Sequence, residues 1–365
     1  MTKVRNLVEV IEEKYPKFIQ ESYDNSGLIT GEKNAEVSGV LLSIDINEKV
    51  VDEAIASNCN FIIAHHPVIF HPLKKLTGSN YIERTIIKAI KNDIAIYAAH
   101  TSVDNNFEGL NKIICDKIGL KNYQLILPKE KVLNKLVVFV PNSHAQKVRN
   151  AIFEAGAGHI GNYDNCSFNI EGTGTFRAGE NTQPFVGNKN ELHAESEVRI
   201  ETVFPVFLKN KIVNAMTNVH PYEEVAYDIY SIENKHQKFG TGMIGELEEE
   251  IDETEFLKIV KDELNLKCLK HSELKNRKIK KVAICTGACH FLINSAIMQG
   301  ADVFISSEFK YDQYISAQNQ IVLVDAGHYE TEIYINNVFY EFLTEKFATF
   351  AVKISESFKN PVKYL

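Results

Sequence analysis

The strongest constraint on this fold is a set of short apolar runs, each followed by a helix-patterned stretch, at both ends of the chain. GVLLSIDI (39–46), FIIAHHP (61–67) and IAIYAAHTSVD (94–104) lie in the first part. KKVAICTGA (280–288), DVFISSE (302–308) and QIVLVDAG (320–327) lie in the last. Between and after them, EKVVDEAIASN (48–58), ERTIIKAIKND (83–93), FLINSAIMQGA (291–301) and IYINNVFYEFLTEKF (333–347) repeat apolar residues at helical spacing. A strand that is apolar on both faces needs cover on both faces, and helices returning between strands supply it. The pattern predicts α/β architecture built from both chain ends.

The middle of the chain follows another rule. LNKLVVFVP (133–141) reads as a strand, AQKVRNAIFEAG (145–156) as a helix, and Gly-rich hairpin-like segments lead into ESEVRIETVFPV (195–206). KNKIVNAMTNVHPYEE (209–224) is helical in pattern and VAYDIYSI (225–232) is strand-like. This β-α-β-β-α-β order is the ferredoxin-like pattern. The expected organisation is a discontinuous α/β domain, residues 1–131 and 235–365, interrupted by an α+β insert at 132–234. Within the insert, Gly156-Ala-Gly158-His-Ile-Gly161 matches GxGxxG but follows a helix, so it reads as a turn and not as a dinucleotide fingerprint. His220-Pro-Tyr-Glu223-Glu224 reads as a structural turn or cap after a helix.

Composition excludes some functions. Against 40 Lys and Arg stand 48 Asp and Glu, a net charge of -8. That argues against a broad nucleic-acid surface, which needs a basic stripe. No run reaches the ~18 apolar residues of a membrane span. The N-terminal stretch MTKVRNLVEVIEEKYPKF patterns as an amphipathic helix, without the apolar core of a signal peptide, so a cytoplasmic location is expected. The six cysteines are scattered and read as reduced thiols, most of them in apolar contexts. The close pair Cys285 and Cys289 lacks CxxC spacing, and no second pair completes a zinc site.

Function in open α/β sheets collects where strands end. The proposed strands end at Asp45, at His65-His66-Pro67, at His100 with Asp104 four residues on, at Ser306-Ser307-Glu308, and at Asp325-Ala-Gly-His328 with Glu332 four residues on. A helix starting near His328 would present His328 and Glu332 on one face. His100 and Asp104 share that interval in what reads as a loop. A lone histidine at a strand end is usually structural; their concentration at one sheet edge is what points to metal. His65, His66, Asp104, His328 and Glu332 exceed the needs of one tetrahedral site and suit two divalent ions. The mixed nitrogen and oxygen donors fit zinc, iron, manganese or cobalt.

These segments resemble the Nif-three-like dinuclear-metal family, whose members are also called GTP cyclohydrolase 1 type 2 homologues. Tyr23-Asp-Asn-Ser-Gly-Leu28 is similar to the family's aromatic-DNxGL opening, and AHHPVIF, AAHTSVDN and DAGHYETE to its three ligand motifs. The insert, with GAGHIGNYDNCSF, GTGTFR and HPYEE, is similar to the PII/CutA-like domain of longer bacterial members. The resemblance implies the same five ligands, two divalent ions per chain with zinc foremost and iron or manganese as alternatives, and a homohexamer built as a trimer of dimers. It also implies hydrolytic opening of the GTP imidazole ring. His100, Asp325 and Glu308 become candidates for orienting ligands or moving protons. A non-catalytic metal-binding scaffold and a phosphoesterase are the competing readings. Where the family often has Thr-Gly-Asp/Glu followed by Lys-Tyr-His, this chain has Ser306-Ser-Glu308-Phe-Lys310-Tyr-Asp312, without the Gly and the His.

Overall fold

The computed structural model describes residues 2–365. The chain divides into two units, one formed by residues up to Pro128 together with Lys238–Leu365, the other by Lys129–Gln237.

The first unit contains two sheets. One runs in the spatial order Gly27–Thr30, Ala95–Ala98, Phe61–Ala64, Gly39–Ser43, Ala351–Ile354. Its three inner strands are parallel, with Val40 opposite Phe61 and Phe61 opposite Ala95. Successive side chains go to opposite faces, and both faces are buried. Val40, Leu42, Phe61, Ile63 and Tyr97 pack with Leu7, Ile11 and Phe339 on one side. Leu41, Ile62 and Ile96 pack with Val50, Val51, Ala54 and Ile86 on the other. Burying each such aliphatic side chain stabilises the fold by roughly 1.5–3 kcal/mol before entropy is charged against it. Helices Glu48–Ala56 and Tyr81–Lys91 make the parallel returns. Asn47 and Asn80 start them by accepting hydrogen bonds from first-turn N–H groups.

The second sheet has the order Lys270–His271, Val322–Asp325, Val303–Ser306, Lys278–Ile284, Gly240–Asp252, Lys121–Pro128. Val282, Val303 and Val322 align in its parallel core. In both sheets, the parallel strands carry the polar residues at their carboxyl ends.

The other unit has strands Leu133–Pro141, Phe168–Arg177, Leu192–Pro205 and Tyr227–Ile232, with helices Ala145–Glu154 and Lys209–Val219. All its pairings are antiparallel, in the ferredoxin-like order of second, third, first and fourth strand. The helical reading of 209–224 is too long: the helix stops at Val219, because Pro221 disfavours helical backbone at His220. The expected helix over 333–347 begins at Ile335 and is preceded by a separate short helix, His328–Glu332. No helix among the described residues is long and apolar enough to cross a membrane.

Candidate metal centre

Within the first unit, the strand ends bring their polar residues together. Backbone pairing continues past Phe61–Ala64: His65 N–H donates to Ser43 O at 3.2 Å, and His66 N–H to Ile44 O at 3.0 Å. The doublet is therefore held by the sheet itself, with its two rings 4.9 Å apart. His100 lies 5.2 and 5.3 Å from the rings of His65 and His66. The segment after it is a helical turn, Thr101–Asp104, and not the expected loop, because Val103 N–H and Asp104 N–H both reach back to His100 O. His328 and Glu332 open and close their short helix, which puts both on one side of it. His328 and His66 rings are 5.4 Å apart.

All four imidazoles are anchored through Nδ1. His65 Nδ1 contacts Ala99 O at 2.9 Å, His66 Nδ1 contacts Asp45 Oδ1 at 3.0 Å, His100 Nδ1 contacts Asp24 Oδ1 at 2.9 Å, and His328 Nδ1 contacts Glu308 Oε1 at 3.1 Å. An acceptor on Nδ1 favours the tautomer whose Nε2 lone pair is free, the arrangement that supports metal-binding histidines.

The Nε2 atoms and carboxylate oxygens converge without satisfying one another. Glu332 Oε2 lies 3.0 Å from His66 Nε2 and 3.1 Å from His328 Nε2. Neither approach has the direction of a hydrogen bond, and Glu332 Oε2 is buried without a hydrogen-bond partner. His65 Nε2 lies 3.7 Å from both Asp104 Oδ1 and Glu332 Oε1. His65 Nε2 and Asp104 Oδ1 are also buried and unpartnered. Buried polar atoms are nearly always paired, so three orphans in one cluster need a reason. Two donor atoms on one tetrahedral ion, each about 2.1 Å from it, sit roughly 3.4 Å apart. The observed spacings suit that arrangement. The donor sets His65/His66/His100 and His66/His328/Glu332 can each hold a metal ion.

Electrostatics agree. Burial disfavours charge on His66, but the Asp45 and Glu332 carboxylates outweigh it and raise its pKa to about 11. His328 is raised to about 9 against burial, chiefly by Glu332. Burial wins at fully buried His65 and lowers it despite Glu332. Burial and the neighbouring Glu332 charge push Asp104 well up. Glu332 is held well down against burial by the imidazoles around it. The surrounding carboxylates make the cluster favour positive charge.

Sequence reasoning placed Asp24 in the aromatic-DNxGL motif but assigned neither it nor Asp45 a role. Asp45 was visible as a strand end. Asp24 lies in a loop with no periodic signal, yet its buried carboxylate accepts from Thr101 N–H at 3.0 Å and Ser26 Oγ–H at 2.8 Å besides contacting His100. Glu308 holds His328 from a left-handed backbone, φ 59°, which is strained for a non-glycine residue. Asp325 is turned elsewhere: its Oδ2 lies 2.7 Å from Lys270 Nζ, and its Oδ1 accepts from Gly327 N–H at 3.2 Å. Cys285 and Cys289 lie side by side, with Cα atoms 5.9 Å apart. The turn through Gly287, φ 69°, brings them together, and a Cβ at Gly287 would strike the Glu332 carboxylate. Cys268 is exposed and Cys166 half-buried, so neither belongs to the core.

The model of the family Duf34/NIF3 (NGG1p interacting factor 3) matches residues 2–361. The chain belongs to the DUF34/NIF3 family. Two relatives, both named GTP cyclohydrolase 1 type 2 homolog, extend the comparison. The one from Halalkalibacterium halodurans is 39% identical, over 89% of this chain and 88% of the relative. The one from Bacillus subtilis is 36% identical, over 99% of this chain and 98% of the relative. A solved structure of a Bacillus cereus protein related to NIF3 superposes with a TM-score of 0.88 at 38% identity, covering 100% of this chain and 99% of that one. The DUF34/NIF3 fold thus spans both units.

Proposed function

We propose that the first unit holds two divalent metal ions and that the chain is a metal-dependent hydrolase acting on a nucleotide. The best-supported reaction is water-driven opening of the GTP imidazole ring with release of formate, the chemistry to which the relatives' name points. One observation carries the metal reading: His65 Nε2, Asp104 Oδ1 and Glu332 Oε2 are buried together with no hydrogen-bond partner.

His65, His66 and His328 would be the nitrogen ligands, each fixed from behind by its Nδ1 contact. Asp104 and Glu332, with two oxygens each, would be the shared ligands. Bound divalent ions would supply Lewis acidity and lower the pKa of water toward neutrality. His100 lies beside the doublet with Asp24 on its Nδ1, so its Nε2 is the group placed to take or return a proton. Glu308 orients His328. Zinc is the first choice of metal, with iron and manganese accommodated by the same donors.

The test is an assay of GTP, other nucleotides and phosphoesters with metal-loaded protein, with and without chelator. Formate released from GTP, lost on chelation and recovered on adding metal back, is the expected result. Turnover of phosphoesters alone would reassign the substrate class. No turnover across the panel with metals loaded would leave a metal-binding protein without this activity.

A further inference from the structure

The insert has a groove of its own. Helices Ala145–Glu154 and Lys209–Val219 cover one face of its sheet through Leu136, Val138, Ile200 and Phe204. On the opposite face, residues 178–185 and 222–226 help form a half-open groove of about 560 Å³. That falls within the roughly 300–1,000 Å³ of small-molecule sites.

Two strand glycines make the space. Gly172 and Gly174 face Glu197 and Glu195 across the ladder. A Cβ on Gly172 would meet nothing within 4 Å, whereas one on Gly174 would strike the Glu197 carboxylate. Glycine inside a strand commonly marks a place where another group approaches closely. Here Gly174 lets Glu197 lie across the strand, and Gly172 leaves room beside it.

The polar equipment is built and buried. Glu197 is only 8% exposed, and its Oε1 accepts the Tyr222 hydroxyl at 2.8 Å. Tyr222 is itself set by His220, which accepts the Tyr222 N–H on Nδ1 at 3.1 Å and donates from Nε2 to Phe139 O at 3.0 Å. This is the task of the HPYEE segment, whose Glu223 also accepts from Gln183 N–H at 2.9 Å and ties down the covering loop. Phe176 and Phe185 stand 6.2 and 6.3 Å from the Tyr222 ring. Four glutamates and two arginines line the space, and one of the arginines, Arg199, is already paired with Glu201 at 2.9 Å. A buried carboxylate among aromatic faces selects a compact cation with N–H donors.

We propose that the insert binds a small arylalkylamine as its ammonium cation, with the nitrogen on Glu197 and the ring among Phe139, Phe176, Phe185 and Tyr222. The full-length chain, titrated calorimetrically with phenethylamine, 2-phenylethanol and 3-phenylpropionate at neutral pH, tests this. Phenethylamine should bind with a Kd of about 1 mM or tighter. The alcohol and the acid should bind at least about tenfold more weakly. Glu197→Gln should remove the preference for the amine. Gly172→Leu, whose side chain enters open space, should abolish binding while leaving thermal melting unchanged. The proposal is overturned if phenethylamine gives no heat, if the alcohol or the acid binds as well, or if Gly172→Leu binds as the parent chain does.

Discussion

At the scale of single residues, the candidate site rests on four imidazoles anchored through Nδ1 and on carboxylates that stay unpaired where the Nε2 atoms meet. Replacing His65 by Ala or Glu332 by Gln should therefore reduce bound metal per chain to near zero, measured by mass spectrometry of the purified variants; unchanged content would remove these residues from the site. The raised pKa values of His66, about 11, and His328, about 9, make a second prediction. In the metal-free chain these shifts favour protonated imidazoles at pH 7, so metal binding displaces on the order of two protons per chain. Calorimetry in buffers of different ionisation enthalpy reads that number, which should fall as pH rises through 9 and His328 deprotonates. Asp24 behaves oppositely. Burial works against its charge, but the hydrogen bonds from His100, Thr101 and Ser26 hold its carboxyl below the usual range. A depressed carboxyl stabilises the fold fully above its unfolded pKa of about 3.9 and loses that contribution as pH falls toward the folded value. Asp24→Asn should cost about 2 kcal/mol in urea unfolding at pH 7, and the gap to the parent chain should narrow below pH ~4.

At the scale of elements, the site depends on how strands end and how short helices begin. Gly287 takes a positive φ against the Glu332 carboxylate, and no side chain fits there. Gly287→Ala should lower stability by about 1–3 kcal/mol and weaken metal retention together. Asn47→Ala, which removes only the cap of helix Glu48–Ala56, should cost about 1 kcal/mol and leave metal content unchanged. A Gly287→Ala variant that melts lower yet keeps its metal would separate the turn from the site. The strand ends were legible in the sequence because parallel, doubly buried strands are continuous apolar runs, and the first polar residue after each run marks the sheet edge. The i,i+4 relation of His328 and Glu332 was legible because residues four apart share one face of a helix. The role of Asp24 was not, because a loop residue that reaches across 76 positions to His100 leaves no periodic trace. Nor was the turn at Thr101–Asp104, which is too short to show a helical period. Asp325 obeyed the strand-end rule and still turned to Lys270, since the rule places a backbone position and not a side chain.

At the scale of the whole molecule, the insert interrupts the chain where interruption costs little. The strands on either side of it, Lys121–Pro128 and Gly240–Asp252, are antiparallel neighbours with Pro128 opposite Gly240. Replacing residues 129–237 by a short turn should leave a cooperatively melting first unit that still binds metal, whereas loss of metal on excision would show that the ligands need the insert. The homohexamer that the family resemblance implies predicts a light-scattering mass about six times the 41.3 kDa of one chain. The most direct test of the central claim is anomalous diffraction from crystals of the full chain grown with zinc. Two anomalous peaks roughly 3.5–4 Å apart, among His65, His66, Asp104, His328 and Glu332, are predicted. A single peak there would contradict the dinuclear centre, and no peak there at saturating zinc would contradict the metal site itself.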